Sequence, residues 1–280
     1  IPNEHRETER MLKAFVTVSG LTLISRILGF VRDILLASIL GASSQMEVFV
    51  IAFKLPNFFR RLFAEGAFSV AFVPLFSRHL TTNGEAYALA FAGRVFMVML
   101  SLMLILLGVF EVSMQYVVGI IAPGFVGQPE KYQLAVELCR ITFPYLGCIV
   151  LVTVISGVMQ GKDKFAGAAL APVWLNLCFI GALLYTGYTE MLESKVISYG
   201  VLAGGFVQLA WMFLVMRRAA IRLPFKAPRF TRDIRELFRK MVPGMIGGGI
   251  VQINLWVDVL IATLVPGAVA YLYYADRFSQ

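Results

Sequence analysis

Ser25-Arg-Ile-Leu-Gly-Phe-Val-Arg-Asp33 sits inside the apolar run Phe15 to Leu40, and it decides the fold. A run of this length crosses a bilayer as a helix, which needs ~20 apolar residues. Each charge it carries at bilayer depth costs roughly 2.5–3.5 kcal/mol on insertion scales, so lipid-facing placement of Arg26, Arg32 and Asp33 together is prohibitive. Helical periodicity puts residues three, four and seven apart on one face, which places Ser19, Thr22, Arg26, Gly29 and Asp33 on one stripe. The next run, Val48 to about Leu62, repeats the pattern with Lys54, Arg60 and Arg61, and Glu65 follows it. There Glu47, Lys54, Asn57, Arg61 and Glu65 share a stripe. The two stripes predict a water-filled cavity inside a membrane protein.

Composition supports this. The 280 residues are 59% hydrophobic and 15% charged, with mean hydropathy +0.77, against about 45–50% apolar and about 25% charged for a soluble domain. Long apolar runs with polar connections suit helices rather than the short alternating strands of an outer-membrane barrel. The expected class is all-α, a polytopic membrane helix bundle. Residues 1–10 are polar and precede Met11, and the first span carries arginines and lacks a cleavage site, so no signal peptide is expected.

Seven complete spans are predicted, at about 14–40, 46–62, 91–110, 134–159, 167–187, 196–216 and 241–265, and an eighth begins near Ala268. Phe63 to Leu80, with Pro74, reads as a short amphipathic or re-entrant piece. With the N-terminus cytoplasmic, the inside connections hold Arg78 and Arg94, then Lys162 and Lys164. Next come Arg217, Arg218, Arg222, Lys226, Arg229, Arg232, Arg235, Arg239 and Lys240, whereas the outside ones hold mostly acids. The net charge of +8 is therefore a topological bias, and no nucleic-acid partner is expected. Residues 218–240 form a basic linker between two bundles. In it Ile234, Leu237, Phe238 and Met241 make an apolar face opposite Arg232, Arg235 and Arg239, either a helix lying on the anionic inner leaflet or a solvated one.

Asp33-Ile-Leu-Leu-Ala-Ser-Ile-Leu40 matches Asp258-Val-Leu-Ile-Ala-Thr-Leu-Val265, and Ala52-Phe-Lys54 aligns with Ala275-Asp-Arg277. Span seven thus restarts the architecture of span one, as in parallel transporter repeats.

The predicted cavity collects Arg26, Arg32, Lys54, Arg60, Arg61 and Arg277 against Asp33, Glu47, Glu65 and Asp276. The basic excess favours an anionic guest, and guanidinium groups grip phosphate or carboxylate oxygens bidentately. Arg60 and Arg61 could instead snorkel, whereas Arg26 is too deep to do so. Pro56 removes an N–H beside these charges and predicts a kink. Asp258 is a candidate cation or proton site, which would couple transport to Na+ or H+. Cys139, Cys148 and Cys178 read as buried thiols, and no metal or cofactor site follows from the Cys and His positions. No nucleophile–base, phosphate-loop or metalloprotease motif is present, so the chain is not expected to be an enzyme.

Ser25–Asp33, Ala52-Phe-Lys-Leu-Pro-Asn-Phe-Phe-Arg-Arg61, Phe63-Ala-Glu-Gly-Ala-Phe-Ser69 and Tyr273-Tyr-Ala-Asp-Arg277 closely resemble the MurJ (MviN) family. Those proteins are bacterial lipid II flippases of the multidrug/oligosaccharidyl-lipid/polysaccharide exporter superfamily. The resemblance implies a six-helix lobe at 11–217, the linker, and the first two helices of a second, truncated lobe at 241–280. It also implies residence in the bacterial cytoplasmic membrane and alternating access; Na+ or H+ as coupling ion, or the membrane potential, is the expected driving force. Lipid II, membrane lipids and cell-wall synthesis enzymes would be the partners. Arg26, Arg32, Arg60, Arg61, Asp276 and Arg277 would be functional residues, and Glu47 stands where the family commonly has Asp. A drug or cation antiporter of the same superfamily, or a non-transporting scaffold, are the competing readings.

Overall fold

A computed structural model describes the backbone of residues 2–278, and their side chains except at 2–15, 17, 64–66 and 278. The chain runs α1 (Pro2–Leu40), α2 (Ser44–Arg60), a π-helical stretch (Arg61–Phe68), α3 (Ser69–Thr82), α4 (Glu85–Ile121), α5 (Pro129–Thr142), α6 (Tyr145–Gln160), α7 (Ala166–Ala169), α8 (Ala171–Tyr185), α9 (Glu193–Arg218), α10 (Arg232–Ala262) and α11 (Ala268–Phe278). No strand occurs among the described residues. The protein is a multi-pass helical bundle.

Among the described residues, five segments are long and apolar enough on their own to cross a membrane: Glu85–Ile121, Pro129–Gln160, Ala166–Tyr188, Glu193–Arg218 and Arg232–Ala262. They coincide with five of the seven predicted spans. Within the described residues the other two, α1 and α2, fall short for the reason that made them interesting. In its described part α1 carries Arg26, Arg32 and Asp33 close together, and α2 is 17 residues long with Lys54 and Arg60 inside it.

Two local readings change. The piece expected to stand apart at Phe63 to Leu80 instead continues α2 without a break, through the π-helical stretch into α3. The backbone of the polar tail 2–10 is helical and belongs to α1. The extra residue per turn of a π-helix re-aims side chains locally and is found mostly as short insertions at functional sites. Here it follows directly on Arg60.

Pro56 shows how a sequence irregularity is compensated. It has no N–H to give the Ala52 carbonyl one turn back. The fully buried Thr142 hydroxyl of α5 supplies the donor instead, at 2.7 Å. Asn57 Nδ2 also donates to Phe53 O at 2.7 Å. The proline site is thus stitched to its neighbours rather than left open.

The core is aromatic and is built around α2 and α6. Phe59, Phe110 and Phe143 interlock with ring centroids 4.6–5.8 Å apart, and Phe49, Phe53 and Phe179 do the same at 5.6–5.8 Å. The most apolar window of Pro129–Gln160 is 78% buried, against 6% for that of α10. So α6 is the staff of the first lobe, whereas α10 leans on the π-helical stretch and presents most of its surface outward.

The connections define two ends. The turn end holds residues 41–43, 122–128 and 263–267. The linker end holds 161–165 and 219–231. Both α1–α2 and α10–α11 reverse at the turn end through a left-handed glycine, Gly41 (φ 54°) and Gly267 (φ 81°).

Candidate functional site: a cationic cavity between the two repeats

Between α2, α6, α8, α10 and α11 lies a cavity of about 510 Å³. Its charged lining is Arg32, Lys54, Arg60, Arg61 and Arg277 with Asp258 and Asp276, and its neutral wall includes Ser156, Asn176 and Gln208. Among the described residues, five cations face two carboxylates.

The charges are arranged across the repeat. Arg32 Nη2 lies 2.8 Å from Asp33 Oδ1 and its Nε lies 3.0 Å from the same oxygen. Asp33 Oδ2 is 3.4 Å from Arg277 Nε of α11, and the Tyr273 hydroxyl donates to Asp33 Oδ1 at 3.2 Å. Lys54 Nζ of α2 is 3.9 Å from Asp276 Oδ2. The acid at the head of the first repeat therefore pairs with the base that the alignment places in the second. Asp258, aligned with Asp33, lines the same cavity as Lys54. Pairing offsets the desolvation that each charge would suffer alone at this depth.

Arg32 is anchored a second time. Its Nη1 donates to Asn176 Oδ1 at 2.9 Å, and the amide turns round to donate from Nδ2 to Ser25 O at 3.0 Å. Its guanidinium also sits 5.1 Å from the Phe179 ring centroid. With these contacts the buried Arg32 is a fixed part of the wall. Arg60 donates from Nε to Asn57 Oδ1 at 2.9 Å. Arg61 is exposed on the cavity lining and makes no ion pair with a described residue.

Two predicted members are not brought into this group. Arg26 is exposed on α1 and lies outside the cavity lining. Glu47 is buried near the turn end, where Lys131 Nζ approaches its Oε2 at 2.5 Å and stacks 4.1 Å from the Phe125 ring centroid. The pair ties α2 to α5, so the stripe that placed Glu47 with Lys54 holds along the helix but not into the cavity. The side chain of Glu65 lies outside the described residues.

Sequence reasoning missed Asn176 and Lys131. Asn176 left a signal, a lone amide in an otherwise apolar span. Lys131 left none, because a lysine in an outside loop is unremarkable until the fold buries it. Cys139 and Cys148 are buried as expected, whereas Cys178 is only half-buried, and all three are free.

At the turn end the first lobe and the start of the second pack against each other. Gly124 packs so closely that a Cβ there would lie 1.9 Å from Thr263 O, and its N–H donates to Thr263 Oγ1 at 3.3 Å. The Tyr274 hydroxyl donates to Gly41 O at 2.7 Å. Only glycine fits at 124.

A family profile described as "Lipid II flippase MurJ" matches residues 36–280. The chain belongs to the MurJ family. It is 43% identical over 274 residues to a probable lipid II flippase MurJ of Rhizobium meliloti (strain 1021), covering 96% of this chain and 51% of that protein. A solved structure of a lipid II flippase MurJ in an inward closed conformation superposes with TM-score 0.77 at 28% identity, covering 94% of this chain and 54% of that one. A MOP superfamily transporter from Pyrococcus furiosus shares the fold at 17% identity and TM-score 0.68, covering 95% of this chain and 60% of that one. The chain thus spans about half the length of the MurJ relatives it matches, and the cavity described above lies within that half.

Proposed function

We propose that this chain forms the cavity-bearing half of a flippase. The whole protein would move lipid II from the inner to the outer leaflet of the bacterial cytoplasmic membrane by alternating access. The observation that carries the reading is that, among the described residues, five cations outnumber two carboxylates on the cavity wall and Arg61 is exposed and makes no ion pair. A pyrophosphate offers the oxygens that such groups hold bidentately. A cation or drug antiporter calls for the opposite balance.

In this reading the turn end faces the outside and the linker end the cytoplasm, as the positive-inside bias suggests. The Gly124–Thr263 and Tyr274–Gly41 contacts are the outer closure, which must part for release. Arg32, Lys54 and Arg277 hold the repeats together, and Arg61, Arg60 and Arg26 meet the substrate along its path. Asp258 is the coupling carboxylate for Na+ or H+, and transport by Asp258→Asn that still responds to both gradients would remove that role. Movement of a lipid across the bilayer breaks no bond, so no catalytic residue is assigned.

The test uses cells with the full-length protein and no other flippase. Lipid II reaching the outer leaflet is cut by an added enzyme. We expect cutting with the wild type and its loss with Arg61→Ala at normal membrane insertion. Equal cutting in both would remove the cationic cavity from the transport path.

A further inference from the structure

The linker end sorts its charges in a way that the function above does not use. Between Arg217 and Arg239 there are eight basic residues and two acids, Asp233 and Glu236. Both acids are turned onto the protein. Arg78 of α3 clamps Glu236 with two hydrogen bonds of 3.1 and 3.0 Å, Lys240 reaches the same carboxylate at 3.0 Å, and the Tyr87 hydroxyl donates to Asp233 at 2.8 Å. All eight bases are exposed. A topological bias toward cations requires them to be present, but it does not require the acids to be turned inward.

The segment is also held in place. Ile221 and Leu223 are buried, as are Ile234 and Leu237 at the start of α10. At Gly93 of α4 the linker approaches so closely that a Cβ would meet Pro224 O at 2.2 Å. Phe225 and Phe230 remain 53% and 63% exposed among the cations. A fixed face of one sign, studded with half-exposed aromatic rings, matches a headgroup layer, where cations meet lipid phosphates and rings enter the interface.

We propose that residues 217–239 form a binding face for anionic phospholipids of the leaflet at the linker end, separate from the transport cavity. The sidedness rests on the orientation given above, but the affinity for anionic lipid does not. Bound lipid headgroups would press against the stretch 222–230, where most amides have no backbone acceptor.

Full-length protein in nanodiscs of phosphatidylcholine, with or without phosphatidylglycerol, tests this by amide hydrogen exchange. We expect exchange across 222–230 to slow by about fivefold or more when the anionic lipid is present, an effect weakened by salt. A variant with Arg222, Lys226, Arg229 and Arg235 changed to Gln should lose that difference while the α4 and α6 amides exchange as in wild type. Equal exchange in the two bilayers would overturn the proposal. So would slowing that persists in the four-fold variant, because a neutral contact would then be covering the face.

Discussion

The same side chains live under two regimes in this molecule. Between the repeats, Arg32, Lys54 and Arg277 each face a carboxylate, and Arg32 also holds an amide and an aromatic ring. On the linker the acids are turned inward and the eight bases stand in the open. The difference follows from the medium. A charge as buried as Arg32 has lost its water and must be paired, whereas one at the interface keeps its water and is worth little to stability. A paired arginine is thus part of the scaffold, and an unpaired one is available to a ligand.

The contrast breaks most visibly at Arg32. Arg32→Ala leaves Asp33 with one cation fewer and Asn176 Oδ1 without its donor, so we expect a loss of about 3–5 kcal/mol, measured as unfolding midpoint in detergent. Lys131→Ala should cost a similar amount by stranding the buried Glu47. Replacing both Glu47 and Lys131 by Leu should cost clearly less than the single change; a double variant as unstable as the single one would show that the pair does not act as a unit.

A smaller effect is expected at the proline. Thr142→Val keeps the shape but removes the donor to Ala52 O, and a stranded buried carbonyl costs about 1–3 kcal/mol. At the linker end Arg78→Ala removes an exposed clamp on Glu236, and about 0–1 kcal/mol is expected. Arg229→Gln should fall within about 0.5 kcal/mol of wild type. A linker substitution as damaging as Arg32→Ala would erase the distinction between the two regimes.

Much of this was legible beforehand, and the exceptions have physical causes. Spans four to six and the start of the second repeat could be read because ~20 apolar residues admit few structures in a membrane. The convergence of Asp33, Lys54, Asp276 and Arg277 was foreshadowed by the repeat, since two aligned helix pairs bring aligned charges to one axis. Glu47 was misplaced because helical periodicity fixes a direction around the axis but not the depth at which a partner waits. The π-helical continuation at 61–68 was hidden for a related reason. Apolar spacing reports turns of 3.6 residues, and Phe63 to Ser69 breaks that rhythm as a loop would. Asn176 could be seen as an oddity, but its partner Arg32 lies 144 residues away.

The central claim is that the cavity cations divide into those that hold the fold and those that meet the guest. The direct measurement is lipid II binding to purified full-length protein, with the unfolding midpoint recorded for each sample. The account predicts that Arg61→Ala weakens binding about tenfold or more, the worth of a lost charge-assisted hydrogen bond, at an unchanged midpoint. Wild-type affinity in Arg61→Ala, or a fall in affinity only in proportion to lost stability, would contradict it.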